Sequence, residues 1–409
     1  MLTEKKQHIK YFAARLAAIL AVVLSLGLAG CSKESTDNSN RKVMVLYSAG
    51  FNNLYNNLKN DILALKDGYV PEKGGGKPVL LAVSKPVNKT YGAPSSPVLI
   101  QIYKKSGKVV MDTVKTYPEN QMLADASTLR AVLSDIKTMY PAKGYGMVFS
   151  SHASGWLPEN YFSNPDAYEG TDTWSYAAPR SIGAEYYYEG NIQKTAEIEI
   201  EDFAAAIPYK LDYIVLDACL AGCVEVAYAL RDKADWLVAS PAEILADGLD
   251  YDNIAKRLLK ENSPRMVCED FITYYQNSTG RKSATVALTD LSKMDNLASV
   301  CKDLISDFRS EITALETNSV QGFCTESRRW FFDLEDIFAQ LGLNTYALQD
   351  ALAQAVIYKD HTEKYYSNGA MHDIRAFCGL TMFLPQSGGA KLNEFYKTLS
   401  WNQATGLVE

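Results

Sequence analysis

Short apolar runs alternating with helix-periodic stretches constrain this chain more than anything else in it. Val43 to Tyr47 is a β-rich run, and Asn52 to Leu65 then carries Leu54, Leu58, Ile62 and Leu65 at helical spacing. Val79 to Val83 and Val98 to Tyr103 read as the next strands. Ala126 to Met139 reads as a helix with Leu129, Val132, Leu133 and Ile136 on one side, and Gly146 to Ser150 as a buried strand. A short helix near Glu201 to Ala206 precedes the central-strand run Asp212-Tyr213-Ile214-Val215-Leu216, a helix from about Gly222 to Arg231 and a strand from Trp236 to Ala239. Strands that alternate with helices are the pattern of an α/β protein whose sheet is largely parallel. The last third reads as mostly helical, over Ile254 to Leu259, Arg265 to Tyr275, Leu291 to Ile312, Arg328 to Leu341 and Thr345 to Tyr358, with a final strand at Phe377 to Leu384. Between Leu157 and about Lys194, polar, aromatic and glycine residues follow no period, which predicts a long loop.

The first thirty residues stand outside that fold. Lys5, Lys6, Lys10 and Arg15 form a basic start, Leu16 to Leu28 is an apolar stretch too short to span a bilayer comfortably, and Leu28-Ala29-Gly30-Cys31 closes it. That order resembles a bacterial lipoprotein signal, in which cleavage before Cys31 exposes a thiol for lipid attachment. The expected organisation is a signal over residues 1–30, a flexible tether over 31–42 and one domain over 43–409, the last including a loop over 157–196 and a helical part over 290–360. The expected location is the bacterial cell envelope, anchored by lipid to the outer membrane or cell surface. The formal charge is −7; residues 1–30 carry a net +3, so their removal leaves −10. So acidic a chain is a poor partner for nucleic acid. Its 47% hydrophobic and 22% charged residues exclude both a disordered chain and a multi-span membrane protein.

The chemistry is found by elimination. Gly74-Gly75-Gly76-Lys77-Pro78 fails as a phosphate loop, because Pro71 and Pro78 stand where the motif needs glycine and a hydroxyl residue. No His-Glu-x-x-His and no Cys/His cluster suggests a metal, and no Gly-x-Ser-x-Gly turn suggests a serine hydrolase. Apart from Cys31, the cysteines at 219, 223, 268, 301, 324 and 378 share no repeated spacing. His152 and Cys219 remain, each just past the C-terminal end of a strand run. If those strands are parallel neighbours, both side chains emerge at one sheet edge, where a thiolate nucleophile and an imidazole base can work together. Cys219 also lies just before a helix, whose N-terminus lowers a thiol pKa. The competing reading is quiet packing at a strand end for Cys219 and a loop-capping role for His152.

Further residues decide between these. The segment Leu211-Asp212-Tyr213-Ile214-Val215-Leu216-Asp217-Ala218-Cys219-Leu220-Ala221-Gly222-Cys223-Val224-Glu225-Val226-Ala227-Tyr228 resembles the nucleophile region of clostripain-type cysteine peptidases. The His152 loop ending in Gly155-Trp156, the run Ala239-Ser240-Pro241-Ala242-Glu243, and Gly379-Leu380-Thr381-Met382-Phe383-Leu384-Pro385 are similar in the same order. The resemblance implies a caspase-like three-layer αβα sandwich with a mostly parallel sheet and a helical C-terminal extension. It implies His152 as general base and acid, Cys219 as nucleophile, and the N–H groups of Cys219 and of residue 153 as the oxyanion hole. It implies substrates cleaved after Arg or Lys, with Asp217 and Asp247 as the acids of the first specificity pocket; a helix cap and a surface acid are their plainer roles. Arg180 and Lys194 are the implied self-processing sites. No cofactor is expected, calcium being the one ion the resemblance leaves open although no EF-hand loop is present. The protein is expected to be a monomer whose partners are protein or peptide substrates and, through Cys31, the membrane. Where the family generally has glycine after the histidine, this chain has Ala153, at an expected strain of about 1 kcal/mol or more. That departure motivates a second reading, a peptidase-like surface protein that binds peptides or partner proteins without turnover.

Overall fold

The computed structural model of the chain describes residues 40–86, 95–159, 161, 181–189, 192–324, 329–343 and 345–409. The first half runs β1 (Lys42–Ser48), α1 (Tyr55–Asp67), β2 (Val79–Ser84), β3 (Val98–Lys105), β4 (Lys108–Thr116), α2 (Ala126–Met139) and β5 (Gly144–Ser150). Next come β6 (Ile182–Glu189), β7 (Ile192–Ile198), α3 (Ile200–Ala206), β8 (Leu211–Asp217), α4 (Val224–Ala229) and β9 (Ala234–Ala239). The second half holds α5 (Tyr251–Ala255), α6 (Pro264–Asn277), β10 (Thr285–Asp290), α7 (Met294–Asp307), α8 (Arg309–Ala314), β11 (Phe332–Asp333) and α9 (Leu334–Gln340). It ends with α10 (Tyr346–Ala355), β12 (Val356–His361), β13 (Lys364–Ser367), β14 (Ala370–Asp373), β15 (Thr381–Met382), α11 (Ala390–Tyr396) and α12 (Ser400–Thr405).

Nine strands form one sheet in the order β12-β10-β9-β8-β5-β1-β2-β3-β4. The five at its centre, β9, β8, β5, β1 and β2, are parallel, and the two outer strands on each side are antiparallel. Alternate residues of the central strands feed two separate cores. Val43, Val45, Tyr47, Met147, Phe149, Ile214 and Leu216 pack with α2, α3, α4 and the C-terminal helices. Met44, Leu46, Val148, Tyr213 and Val215 pack with α1, α5 and α6 on the other face. A strand buried on both faces needs apolar residues at every position, which is why these runs show no polar alternation. The three-layer αβα sandwich is as expected.

Three regions differ from the sequence reading. The loop expected over 157–196 contains an antiparallel hairpin of β6 and β7, in which Tyr187 pairs with Lys194. Its strands mix Tyr, Glu, Gln and Lys, so the sequence shows no apolar period to read. The helical part expected over 290–360 is interrupted: β11 stands where a helix from Arg328 was expected, and α10 stops at Ala355, so that Tyr358 lies in β12. β10 precedes that region unannounced, and edge pairing of β12 on β10 completes the sheet. The strand expected over Phe377 to Leu384 shrinks to β15, which pairs with β11 outside the main sheet. Tertiary pairing overrides local propensity in such short segments.

Candidate active site

The parallel strands all point their C-terminal ends at one edge, and β1 and β5 lie at the point where the strand order reverses, since β2 pairs on one side of β1 and β5 on the other. Open α/β sheets place their crevice there. Ser150 at the end of β5 is level with Asp217 at the end of β8, so His152 and Cys219, each two residues further on, rise side by side. They line a pocket of about 200 Å³ together with Asp61 of α1, Ser150, Asp217 and the Glu243–Ala246 segment after β9.

The neighbouring loops hold this edge tightly. Ser151 N–H donates to the Asp217 carbonyl at 3.3 Å, and its Oγ bridges the Ala49 carbonyl and the Ala184 N–H. The histidine loop is stitched to β6, with Gly183 N–H donating to the His152 carbonyl and Ser154 N–H to the Ser181 carbonyl, both at 2.9 Å. Those two bonds flank an Ala153–Ile182 bridge, so the Ala153 N–H points away from the hairpin and is unused by it. Ala153 is not among the residues with positive φ. The strain expected of alanine there is absent, because the left-handed turn falls two residues later, at Gly155 with φ +61°. On the other loop Leu220, directly after Cys219, has φ +60°, a conformation that costs a branched residue about 1–2 kcal/mol. It is fixed by Leu220 N–H to the Ala242 carbonyl at 3.1 Å and Gly222 N–H to the Ser240 carbonyl at 2.8 Å. The two loops touch through Gly155: a Cβ there would stand 2.5 Å from the Leu220 carbonyl oxygen. Gly155→Ala is therefore expected to part the His152 and Cys219 loops and lower kcat/KM by about a hundredfold, the loss that a 1 Å misplacement brings. Activity within threefold of the parent at equal active-site titre would show that the loops tolerate the separation.

His152 and Cys219 each hold a partner of their own. His152 Nε2 is 2.7 Å from Asn53 Oδ1, in the loop that leads from β1 into α1. The Cys219 thiol donates to the Ile244 carbonyl at 3.6 Å and accepts from the Ile244 N–H at 3.3 Å. The lowered thiol pKa expected from the following helix is not found. Burial, then the charge of Glu243, push Cys219 up to about 12, and α4 starts only at Val224, beyond the Leu220 turn.

Asp217 is 6% exposed and closes one end of the pocket. Its Oδ2 accepts from Ser150 Oγ at 2.9 Å and from Tyr251 OH at 2.7 Å, which leaves Oδ1 for a ligand. It is no helix cap, since α4 is capped at Cys223. Burial raises its pKa while those two bonds pull it back. Gly248 permits this acid: a Cβ at that left-handed residue would lie 2.8 Å from Asp217 Oδ2. Asp247 is exposed in the loop beside the pocket, whereas its neighbours Ala246 and Gly248 line the wall. Lys194 lies in the β7 ladder; Arg180 and Cys31 fall outside the described residues. Among the described residues no group of three or more His, Cys, Asp or Glu is arranged to hold a metal ion.

Sequence reasoning missed two residues. Asn53 had no signal beyond a polar pair between a strand and a helix. Asp61 had one: it sits among Leu58, Ile62 and Leu65 on the buried stripe of α1, a place where an acid costs energy unless it is used.

The clostripain family model matches residues 46–406. Clostripain of Hathewaya histolytica is 26% identical over 249 residues, which are 56% of this chain and 44% of that protein. The chain thus spans under half the length of the curated relative it matches. The X-ray structure of an inactive zymogen of a C11 protease from Parabacteroides distasonis is similar with a TM-score of 0.74 at 28% identity, over 90% of this chain and 98% of that one. A secreted C11 cysteine protease from Bacteroides thetaiotaomicron shares the fold with a TM-score of 0.73 at 24% identity, over 90% and 99%. The family match begins inside β1 and ends just past α12, so it takes in the sheet, the His152 and Cys219 loops and the pocket they line: this chain belongs to the clostripain family.

Proposed function

We propose that the protein is a cysteine endopeptidase that cleaves on the C-terminal side of Arg or Lys. The observation that carries this reading is the buried Asp217 carboxylate, which lines the same pocket as Cys219 and has one oxygen held by Ser150 and Tyr251. A carboxylate in a confined site pairs with a guanidinium or ammonium group by charge-assisted hydrogen bonds. His152 takes the Cys219 proton, and the thiolate attacks the scissile carbonyl carbon. The N–H groups of Cys219 and Ala153 receive the oxyanion, and His152 returns the proton to the departing amine. Water then attacks the thioester, gives its proton to His152 and releases the acid, with Cys219 restored as a thiol. Asn53 orients the imidazole.

The thiol bonded to the Ile244 peptide describes a resting state, in keeping with a precursor activated by self-cleavage in the segment between His152 and Cys219. Arg180 is the favoured site, because a peptide bond at Lys194 would have to unzip the hairpin before it could enter a cleft. We propose further that a lipid on Cys31 holds the protein at the bacterial cell envelope as a monomer, with no cofactor required.

The test is a panel of fluorogenic peptides ending in Arg, Lys, Asp or Gln, given to residues 32–409 and to a Cys219→Ala variant, with both proteins run on a denaturing gel. Cleavage after Arg and Lys by the parent alone is expected, at least about a hundredfold over Gln, with two fragments in the parent lane only. Alkylation of Cys219 without turnover of any peptide would instead mark a peptide-binding surface protein.

A further inference from the structure

We propose that Asp61 is a second carboxylate of the specificity pocket, sharing with Asp217 a single proton that the substrate's basic side chain displaces to solvent. This rests on the basic-residue reading above and adds to it a residue and a proton. α1 buries Leu58, Asp61, Ile62 and Leu65, so an acid occupies one position of an otherwise apolar stripe. Asp61 is 9% exposed and lines the same pocket as Asp217 and Cys219. Neither a hydrogen bond nor a cation acts on its carboxylate among the described residues.

The groups around it are Asp217 from β8, Glu243 and Asp247 from the loop after β9, Tyr251 from α5, Tyr274 from α6, and His152 and Cys219 in the same pocket. Burial first, then the charges of Asp217 and Asp247, push Asp61 up to about 8. Two acids in one poorly hydrated pocket do not both ionise, and the proton kept belongs to the pair. An arriving cation supplies the missing charge, so binding below that pH releases one proton. Guanidinium presents a fork that can engage two carboxylates, which favours Arg over Lys at this site.

The experiment uses the active protein, counted with a peptidyl ketone that alkylates Cys219, and peptides ending in Arg, Lys or Gln. For the parent, KM for the Arg peptide is expected to fall as pH rises from 6 to 8 and to level off above. Asp61→Asn is expected to raise that KM about tenfold or more at pH 8, with kcat within threefold and the pH slope gone. The Gln peptide should be unaffected, and Asp61→Glu should recover the slope. A second readout needs no turnover. Between pH 4 and 8 the native state binds a proton that the unfolded chain has lost, so stability falls as pH rises. Melting temperature of the unliganded parent should therefore drop across that range, and Asp61→Asn should flatten the drop. A preference for Arg and Lys with a parent KM independent of pH, or unchanged by Asp61→Asn, overturns this proposal and leaves the basic-residue reading intact. A parent that cleaves no basic peptide overturns both.

Discussion

Cys219→Ala is expected to reduce peptide hydrolysis by about 10⁴-fold or more, and His152→Ala by a similar factor, because a nucleophile and its base act as one unit whose losses do not add. The double variant should then be no slower than either single one. Rates are compared at equal folded concentration; a His152→Ala protein retaining a tenth of the parent kcat would remove the imidazole from the mechanism. The uncut chain offers a sharper signature. Only the thiolate is alkylated, and Cys219 is pushed up to about 12 by burial and by Glu243. Its labelling by iodoacetamide should therefore still climb about tenfold per pH unit between pH 6 and 9. A plateau below pH 8 would mean that Cys219 is already a thiolate paired with the His152 imidazolium, and that the Ile244 contact does not hold the resting chain.

The second large effect is one of stability. Glu185 of β6 is fully buried; its Oε1 accepts from the Phe51 N–H at 3.2 Å and its Oε2 from those of Leu123 and, at 3.1 Å, Ala124. Burial raises this carboxyl, and the three N–H donors with nearby Lys85 pull it back. Glu185→Ala strands three buried N–H groups, each costing about 1–3 kcal/mol, against a total stability of about 5–15 kcal/mol. A loss of about 3 kcal/mol or more in urea unfolding is expected. Glu185→Gln should fare little better, since its amide would point N–H groups at N–H groups. Phe51 precedes Asn52 and Asn53, so the surviving folded fraction should also turn over more slowly as the His152 partner shifts. A midpoint change worth under 1 kcal/mol would show that water or a backbone shift satisfies these donors.

Much of the central sheet was legible because each strand is buried on both faces. A run such as Tyr213 to Leu216 must be apolar throughout, and the helices between must carry one apolar stripe; both patterns are local. β4, β10 and β12 were not: β4 and β12 lie at the two sheet edges, where half an apolar face suffices, β10 interleaves Thr and Asp with its apolar residues, and α10 and β12 are continuous in hydrophobicity. The β6–β7 hairpin was hidden for a related reason: what fixes it is Glu185, Ser151 and the His152 loop, all distant in sequence.

The sequence by itself marked the five parallel strands and placed His152 and Cys219 just past the ends of two of them, with Asp217 two positions before Cys219; the roles of these residues came from the resemblance. Only the tertiary structure decided that His152 meets Asn53, that the Cys219 thiol rests on the Ile244 peptide, and that Asp61 shares a pocket with Asp217. Those facts depend on which loops the parallel sheet brings to one edge and on how much water they exclude. Spacing along a chain fixes neither distance across a pocket nor the desolvation that sets an acid's charge.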